Sequence, residues 1–260
     1  MLIAQLTDMH ITRPGVLAGG IVDTAGMLRR AVSAVLALTT PPDLVVLTGD
    51  LTDSGHPDEY VRLRALLAPL RAPVLCIPGN HDDRDALRAA FPSWPPGPFL
   101  QFVHDAGPLR IVGLDTVVPG ETRGELCATR LAWLDQTLTS SPLRPTLVLL
   151  HHPPFDTGIR FMDEVGLITG REAFADIIAR HRQVKLLLSG HLHRSIHTIV
   201  GGCRALTCPS TAHQIPLDLR SDAPEGFCLE PPGFMLHRWT ENGFITHTAV
   251  TSPSPGPFPF

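Results

Sequence analysis

Leu44-Val-Val-Leu-Thr-Gly-Asp-Leu-Thr-Asp53 opens as an unbroken apolar run, Leu44 to Thr48, and closes on a glycine and two carboxylates. A continuous apolar run of this length reads as a strand buried on both faces, because a half-exposed strand would alternate. Acids just past its carboxyl end stand where open α/β sheets bind their ligands. The arrangement recurs along the chain. Leu2 to Leu6 leads into Asp8-Met-His10, Val74 to Ile77 into Gly79-Asn-His-Asp82, Thr146 to Leu150 into His151-His-Pro-Pro154, and Lys185 to Ser189 into Gly190-His-Leu-His193. A sixth run, Arg110 to Leu114, has the same character. Ala25 to Leu38, Asp58 to Leu67, Arg84 to Phe91, Thr129 to Leu138 and Arg171 to Arg180 space their apolar residues as amphipathic helices do. Alternation of this kind predicts an α/β layered fold, with helices covering a largely parallel sheet. Beyond Ser195 the runs Ile196 to Val200, Arg204 to Thr207, Phe234 to Trp239 and Phe244 to Val250 follow without helices, and an antiparallel section is expected to close the fold.

Composition narrows the function. The 260 residues are 43% hydrophobic and 18% charged, an ordinary globular balance, and the net charge of -4 supplies no basic field to hold a nucleic-acid strand. The amino-terminal stretch Met1 to Asp8 lacks a basic leader, and no apolar run approaches the roughly 20 residues of a membrane span, so a cytoplasmic location is expected. Five cysteines at irregular spacing, with no Cys-x-x-Cys, fit reduced thiols. The end, Ser252-Pro-Ser-Pro-Gly-Pro-Phe-Pro-Phe260, favours polyproline II, as a frayed tail or as an arm placing Phe258 and Phe260 on a neighbouring subunit.

The strand ends carry the chemistry. Asp8, His10, Asp50, Asn80, His151, His191 and His193 supply carboxylate, carboxamide and imidazole groups in a number suited to two metal ions sharing one bridging carboxylate. Asp-x-His and His-x-His place both side chains on one side of an extended segment, and the glycines before Asp50, Asn80 and His191 permit close backbone approach. His56, His104, His181, His197, His237 and His247 lie away from these ends and read as structural or exposed.

Asp-x-His, Gly-Asp-x-x-Asp, Gly-Asn-His-Asp, His-His-Pro-Pro and Gly-His-x-His, in this order over residues 8 to 193, resemble the calcineurin-like metallophosphoesterase superfamily. The resemblance implies a four-layer α/β/β/α sandwich with two mixed β-sheets flanked by helices. It implies that Asp8, His10 and His193 hold one metal and Asn80, His151 and His191 the other, with Asp50 as bridge. His81 resembles the catalytic histidine at the substrate phosphate and leaving oxygen, and Asp53 its orienting acid. Asn80 joins His81 in contacting substrate.

Leu114-Asp-Thr116, Pro119-Gly-Glu121, Leu131-Ala-Trp-Leu134, Phe155, Gly158 to Asp163 and Ser210-Thr-Ala-His-Gln214 are similar to the class III cyclic nucleotide phosphodiesterases and their glycerophosphodiesterase relatives. This subgroup implies hydrolysis of a small phosphodiester by metal-hydroxide attack on phosphorus. The cofactors implied are two divalent ions drawn from Fe, Mn, Zn or Co, and a homo-oligomer is expected. Arg160, Met162 and His213 are candidates for the substrate wall. Residues 1–250 are expected to form one domain, residues 116–130 and 155–170 to be substrate-side loops, and residues 251–260 to be a tail. A phosphomonoesterase of the same fold is the alternative activity, and an inactive interaction module the alternative class.

Overall fold

The computed structural model describes residues 1–92, 94–252, 254–256, 258 and 259. The first half contains β1 (Leu2–Leu6), α1 (Thr24–Leu36), β2 (Leu44–Thr48), α2 (Pro57–Leu67), β3 (Val74–Ile77), α3 (Arg84–Ala90), β4 (Phe102–Ala106) and β5 (Leu109–Gly113). Then come β6 (Gly124–Glu125), α4 (Ala128–Thr139), β7 (Thr146–Leu149), α5 (Arg160–Asp163), β8 (Leu167–Thr169), α6 (Arg171–Arg180) and β9 (Val184–Ser189). Strands β10 (Ile196–Val200), β11 (Cys203–Thr207), β12 (Gly233–Thr240) and β13 (Gly243–Val250) complete the order.

Two mixed sheets form, ordered β13-β12-β1-β2-β3 and β10-β11-β9-β7-β5-β4. Their centres are parallel: β1, β2 and β3 in one, and β5, β7, β9 and β11 in the other. Alternate residues of each central strand serve different layers. Ile3, Leu44 and Val46 face Ile111, Leu147, Leu149, Leu186 and Leu188 between the sheets. Ala4, Leu6, Val45 and Leu47 pack on Leu28, Leu63 and Leu87 of α1 to α3. Val112, Val148 and Leu187 pack on Leu134, Leu138, Phe174 and Ile177 of α4 and α6. The result is a four-layer α/β/β/α sandwich, and double-sided burial explains why the central strands read as continuous apolar runs.

The terminal β section departs from expectation. It does not close the fold as one unit: β10 and β11 join one sheet, while β12 and β13 join the other. Residues 208–232 make the crossing, fixed by Cys208 N donating to Ser189 O at 3.1 Å and Thr211 N to Thr7 O at 3.2 Å. The two mixed sheets implied by the family resemblance are present. Strand β4 has no clear sequence signal, because it is an edge strand carrying His104 and Asp105, with only Phe102 buried. Polar Gln5 in β1 ties the layers: its amide nitrogen donates to Thr48 Oγ1 at 2.9 Å and Ser189 O at 3.1 Å, while its oxygen meets His237 Nε2 at 3.0 Å. Among the other histidines, His56 caps α2 and His181 meets Asp135 at 2.7 Å. All five cysteines are free. Phe258 is 76% exposed, and Phe260 lies outside the described residues.

Candidate metal centre and active site

Parallel strands bring the ends of β1, β2, β3, β7 and β9 to one edge, where each loop must turn sharply. Among the described residues, five non-glycine residues have positive φ: Asp8 (51°), His10 (44°), Asp50 (47°), His191 (69°) and His193 (50°). Left-handed backbone costs such residues on the order of 1 kcal/mol or more each and persists where neighbours over-determine it. Here Asp8 N donates to Gly49 O at 3.1 Å, His10 N to Asp50 O at 3.0 Å, and Ser210 Oγ to Asp8 O at 2.7 Å. His191 N reaches both Asp8 carboxylate oxygens at 3.0 Å. The glycines allow the crowding: a Cβ at Gly79 would collide with Asp50, one at Gly49 with His151, and one at Gly190 with Thr7.

The imidazoles turn their donors away from the centre. His151 Nδ1 meets Thr48 O at 2.8 Å and His193 Nδ1 meets His213 O at 2.8 Å. A carbonyl only accepts, so both Nδ1 atoms carry the proton and both Nε2 atoms present lone pairs inward. His10 Nδ1 faces the Asp53 carboxylate at 3.5 Å, without a hydrogen-bond partner. Ligand-type nitrogen and oxygen atoms consequently face one another. His10 Nε2 lies 3.2 Å from His193 Nε2 and 3.7 Å from Asp50 Oδ2, and His193 Nε2 is 3.4 Å from Asp8 Oδ1. On the other side, His151 Nε2 is 3.1 Å from Asn80 Oδ1 and 3.4 Å from Asp50 Oδ2. His191 Nε2 is buried without a partner. Asp50 stands between the two groups. Buried lone pairs repel at such distances unless positive charge lies among them, so this donor set fits divalent cations.

The electrostatics show that this space draws positive charge. Burial works against the Asp50 carboxylate, but His151, His81 and His10 hold it well below the usual range. Burial also opposes charge on His151, yet Asp50 outweighs it and lifts the imidazole to about 9, so that a proton on Nε2 takes the place a metal cation would fill. His191 is pushed down to about 3 by burial and by His151, which leaves it a neutral ligand-type ring.

His81 stands over this cluster, its ring edge-on to His10 at 4.6 Å. Its backbone N–H donates to Asp50 Oδ1 at 2.9 Å, and its Nδ1 donates to the main-chain carbonyl of Asp53 at 2.7 Å. Asp53 thus orients His81 through its backbone, while its carboxylate serves His10. This differs from the expected side-chain contact because the 50–53 turn aims the carbonyl, not the carboxylate, at the imidazole. Asp50 raises the His81 pKa above its ordinary value despite burial.

A cleft of about 460 Å³ opens above these groups. His213 lines it, with its ring 4.7 Å from that of His193 and its pKa pushed down to about 3 by burial and His193. Met162 also lines it, but Arg160 does not: its guanidinium pairs with Glu164 at 2.8 Å.

Sequence reasoning gave no role to Asp82, the last residue of Gly-Asn-His-Asp. Its buried carboxylate accepts from Gly79 N (2.9 Å), Leu51 N (3.1 Å), Thr52 N (3.2 Å), Thr52 Oγ1 (3.1 Å) and Tyr60 OH (3.0 Å). It staples the loop bearing Asn80 and His81 to the loop bearing Asp50. The acid beside His81 was the available signal. His152 lies near His151 and His191 but is spent elsewhere: Nε2 donates to Thr122 O at 3.0 Å and Nδ1 meets Thr116 Oγ1 at 2.7 Å.

The sequence model of the calcineurin-like phosphoesterases matches residues 1–195. The chain belongs to that family. The probable glycerophosphodiester phosphodiesterase GpdQ of Arcobacter nitrofigilis is 39% identical over the whole of this chain and 97% of its own length. The 3′,5′-cyclic adenosine monophosphate phosphodiesterase CpdA of Pseudomonas aeruginosa is 35% identical over 82% of this chain and 77% of its own. Among solved structures, a dimetal phosphatase from Danio rerio matches the fold with a TM-score of 0.63 at 16% identity, covering 97% of this chain and 99% of that one. Among the described residues, no helix is long and apolar enough to cross a membrane.

Proposed function

We propose that this calcineurin-like phosphoesterase is a two-metal hydrolase of small phosphodiesters, a cyclic nucleotide or a glycerophosphodiester. The carrying observation is the convergence of His10, His193, Asp50, His151 and Asn80, whose ligand-type nitrogen and oxygen atoms face one another. Asp8, His10 and His193 would hold one ion, Asn80, His151 and His191 the other, and Asp50 would bridge them. Fe, Mn, Zn or Co suit imidazole and carboxylate donors. Bound there, two divalent ions supply Lewis acidity toward a phosphoryl oxygen and lower the pKa of water.

The chain's own residues do the rest. Asp50 keeps its charge through the imidazoles around it. His81, with Nδ1 committed to Asp53 O, presents Nε2 toward the cleft and hands a proton to the departing ester oxygen. Asn80 and His81 contact the phosphoryl group, and His213 forms the outer wall. Burial of Asp8, His10, Asp50, His151, His191 and His193 keeps the electrostatics undiluted by solvent. Residues 1–250 are read as one domain and residues 251–260 as a tail. Thr122 of the 116–130 loop and Phe161, Met162 and Val165 of the 155–170 loop line the cleft, which supports both loops as substrate-side elements.

The test is turnover of bis(p-nitrophenyl) phosphate and p-nitrophenyl phosphate by metal-reconstituted protein. Diester turnover exceeding monoester turnover supports the proposal. The reverse ratio assigns a phosphomonoesterase.

A further inference from the structure

Three of the five cysteines, Cys76, Cys203 and Cys208, are buried, and burial pushes each thiol above its ordinary pKa. Cys127 has a different setting. It is partly exposed and occupies the N-cap of the 12-residue helix α4, where a side-chain oxygen usually accepts the free amides of the first turn. Its side chain makes no such cap. Arg130, in the first turn of the same helix, is 3% exposed, and its Nε is buried without a partner. Burial works against charge on the Cys127 thiol, but the backbone N–H groups of Arg130 and Thr129 and the Arg130 side chain outweigh it and lower the pKa. A neutral thiol accepts hydrogen bonds weakly, so these donors are short of an acceptor until the sulfur becomes a thiolate.

Arg130 also connects this sulfur to the loops of the site. Its Nη1 donates to the main-chain oxygens of Asp115 at 3.0 Å and Val117 at 3.1 Å. The buried Asp115 carboxylate accepts from Arg84 Nε at 2.7 Å and Nη2 at 2.9 Å, and Arg84 Nη2 also donates to Val117 O at 2.7 Å. Arg84 opens α3, directly after the loop bearing Asn80, His81 and Asp82. Farther along the 116–130 loop, Thr122 lines the cleft and its carbonyl accepts from His152 Nε2. We propose that Cys127 is a site of reversible thiol modification by a low-molecular-weight disulfide, and that the adduct slows turnover at the cluster around Asp50. The Cys127 thiolate attacks one sulfur of the reagent, and a new S–S bond forms as the old one breaks. The electron pair of the broken bond leaves on the second sulfur, which takes a proton from water; Cys127 is oxidised and the departing sulfur reduced. A free thiol reverses the exchange by the same steps. The mixed disulfide is neutral at sulfur, so Arg130 loses its anionic partner, and with it a restraint on the group that holds Asp115 and Val117. The effect on turnover rests on the phosphodiesterase reading; the modification itself does not.

The experiment treats metal-reconstituted protein with glutathione disulfide across a range of pH and locates the adducts by peptide mass. Cys127 should react ahead of Cys228, with a rate whose pH midpoint falls below the roughly 8.5 of a free cysteine. Turnover of bis(p-nitrophenyl) phosphate should drop about tenfold in the adduct, the milder side of what a small misplacement of catalytic groups costs, and return after reduction and desalting. Cys127→Ser, which supplies an N-cap oxygen, should keep its basal turnover and lose both the adduct and the inhibition. Reaction at Cys228 as fast as at Cys127, full turnover in the Cys127 adduct, or inhibition that persists in Cys127→Ser overturns the inference. Wild-type protein without diester turnover before treatment refutes the phosphodiesterase reading alone, and the pH profile of adduct formation then decides the thiol site.

Discussion

His10 and His193 come from loops 183 residues apart in sequence and point their Nε2 atoms at each other across 3.2 Å. His193 commits its Nδ1 to His213 O, while His10 Nδ1 lies 3.5 Å from the Asp53 carboxylate. With its Nδ1 proton given to a carbonyl, His193 aims the Nε2 lone pair at His10 Nε2, as two ligands of one cation would be placed. Replacing His193 by Ala should remove about one metal equivalent and most activity, as read by elemental analysis beside diester turnover. Retention of two equivalents would place the cation elsewhere.

His81 touches Asp50 only through its backbone N–H, and its ring nitrogen is held by a carbonyl. His81→Ala is expected to keep both metals and lower kcat by about 10²- to 10⁴-fold, the usual contribution of a positioned acid. Loss of metal in this variant would move His81 into the ligand set.

Asp82 is the staple between two ligand loops, so Asp82→Ala strands several buried donors, whereas Tyr60→Phe removes one hydroxyl. Urea unfolding should show a loss of about 3 kcal/mol or more for the first and about 1 kcal/mol for the second. Equal stability of the Asp82→Ala protein and the wild type would show that the two loops hold their shape without it.

His237 supplies a pH test. Burial pushes its pKa down to about 3, helped by Arg204 and His197. An unfolded histidine titrates near 6.5, so the unfolded chain binds the proton first, and stability present above about 6.5 drains away as pH falls toward 3. The slope contributed approaches about 1.4 kcal/mol per pH unit. His237→Gln should flatten the decline of stability between pH 6 and 4, measured by denaturant titration. An unchanged slope would contradict the buried neutral state.

The legible parts share one physical cause. The central strands, buried on both faces, declare themselves as apolar runs, and the convergence of their ends follows from parallel topology. The five strained backbone positions coincide with five of the proposed ligands, because Asp and His tolerate left-handed turns better than branched residues do. What stayed hidden depended on pairing between distant segments. The split of β10 to β13 between two sheets is set by the 208–232 crossing, and edge strand β4 lacks a buried periodicity. Asp53 reaches His81 through a carbonyl, which no side-chain motif announces. Arg160 reads as a phosphate contact, but α5 turns it to Glu164.

The central claim is that two metal ions share Asp50. Metal-stripped protein titrated with Mn²⁺ or Zn²⁺ and analysed for bound metal after desalting tests it most directly. The account predicts two equivalents in the wild type, appearing together with bis(p-nitrophenyl) phosphate turnover, and loss of at least one equivalent with most of the turnover in Asp50→Ala. Full turnover with one equivalent or none, or an Asp50→Ala protein that keeps both ions and its activity, would contradict it.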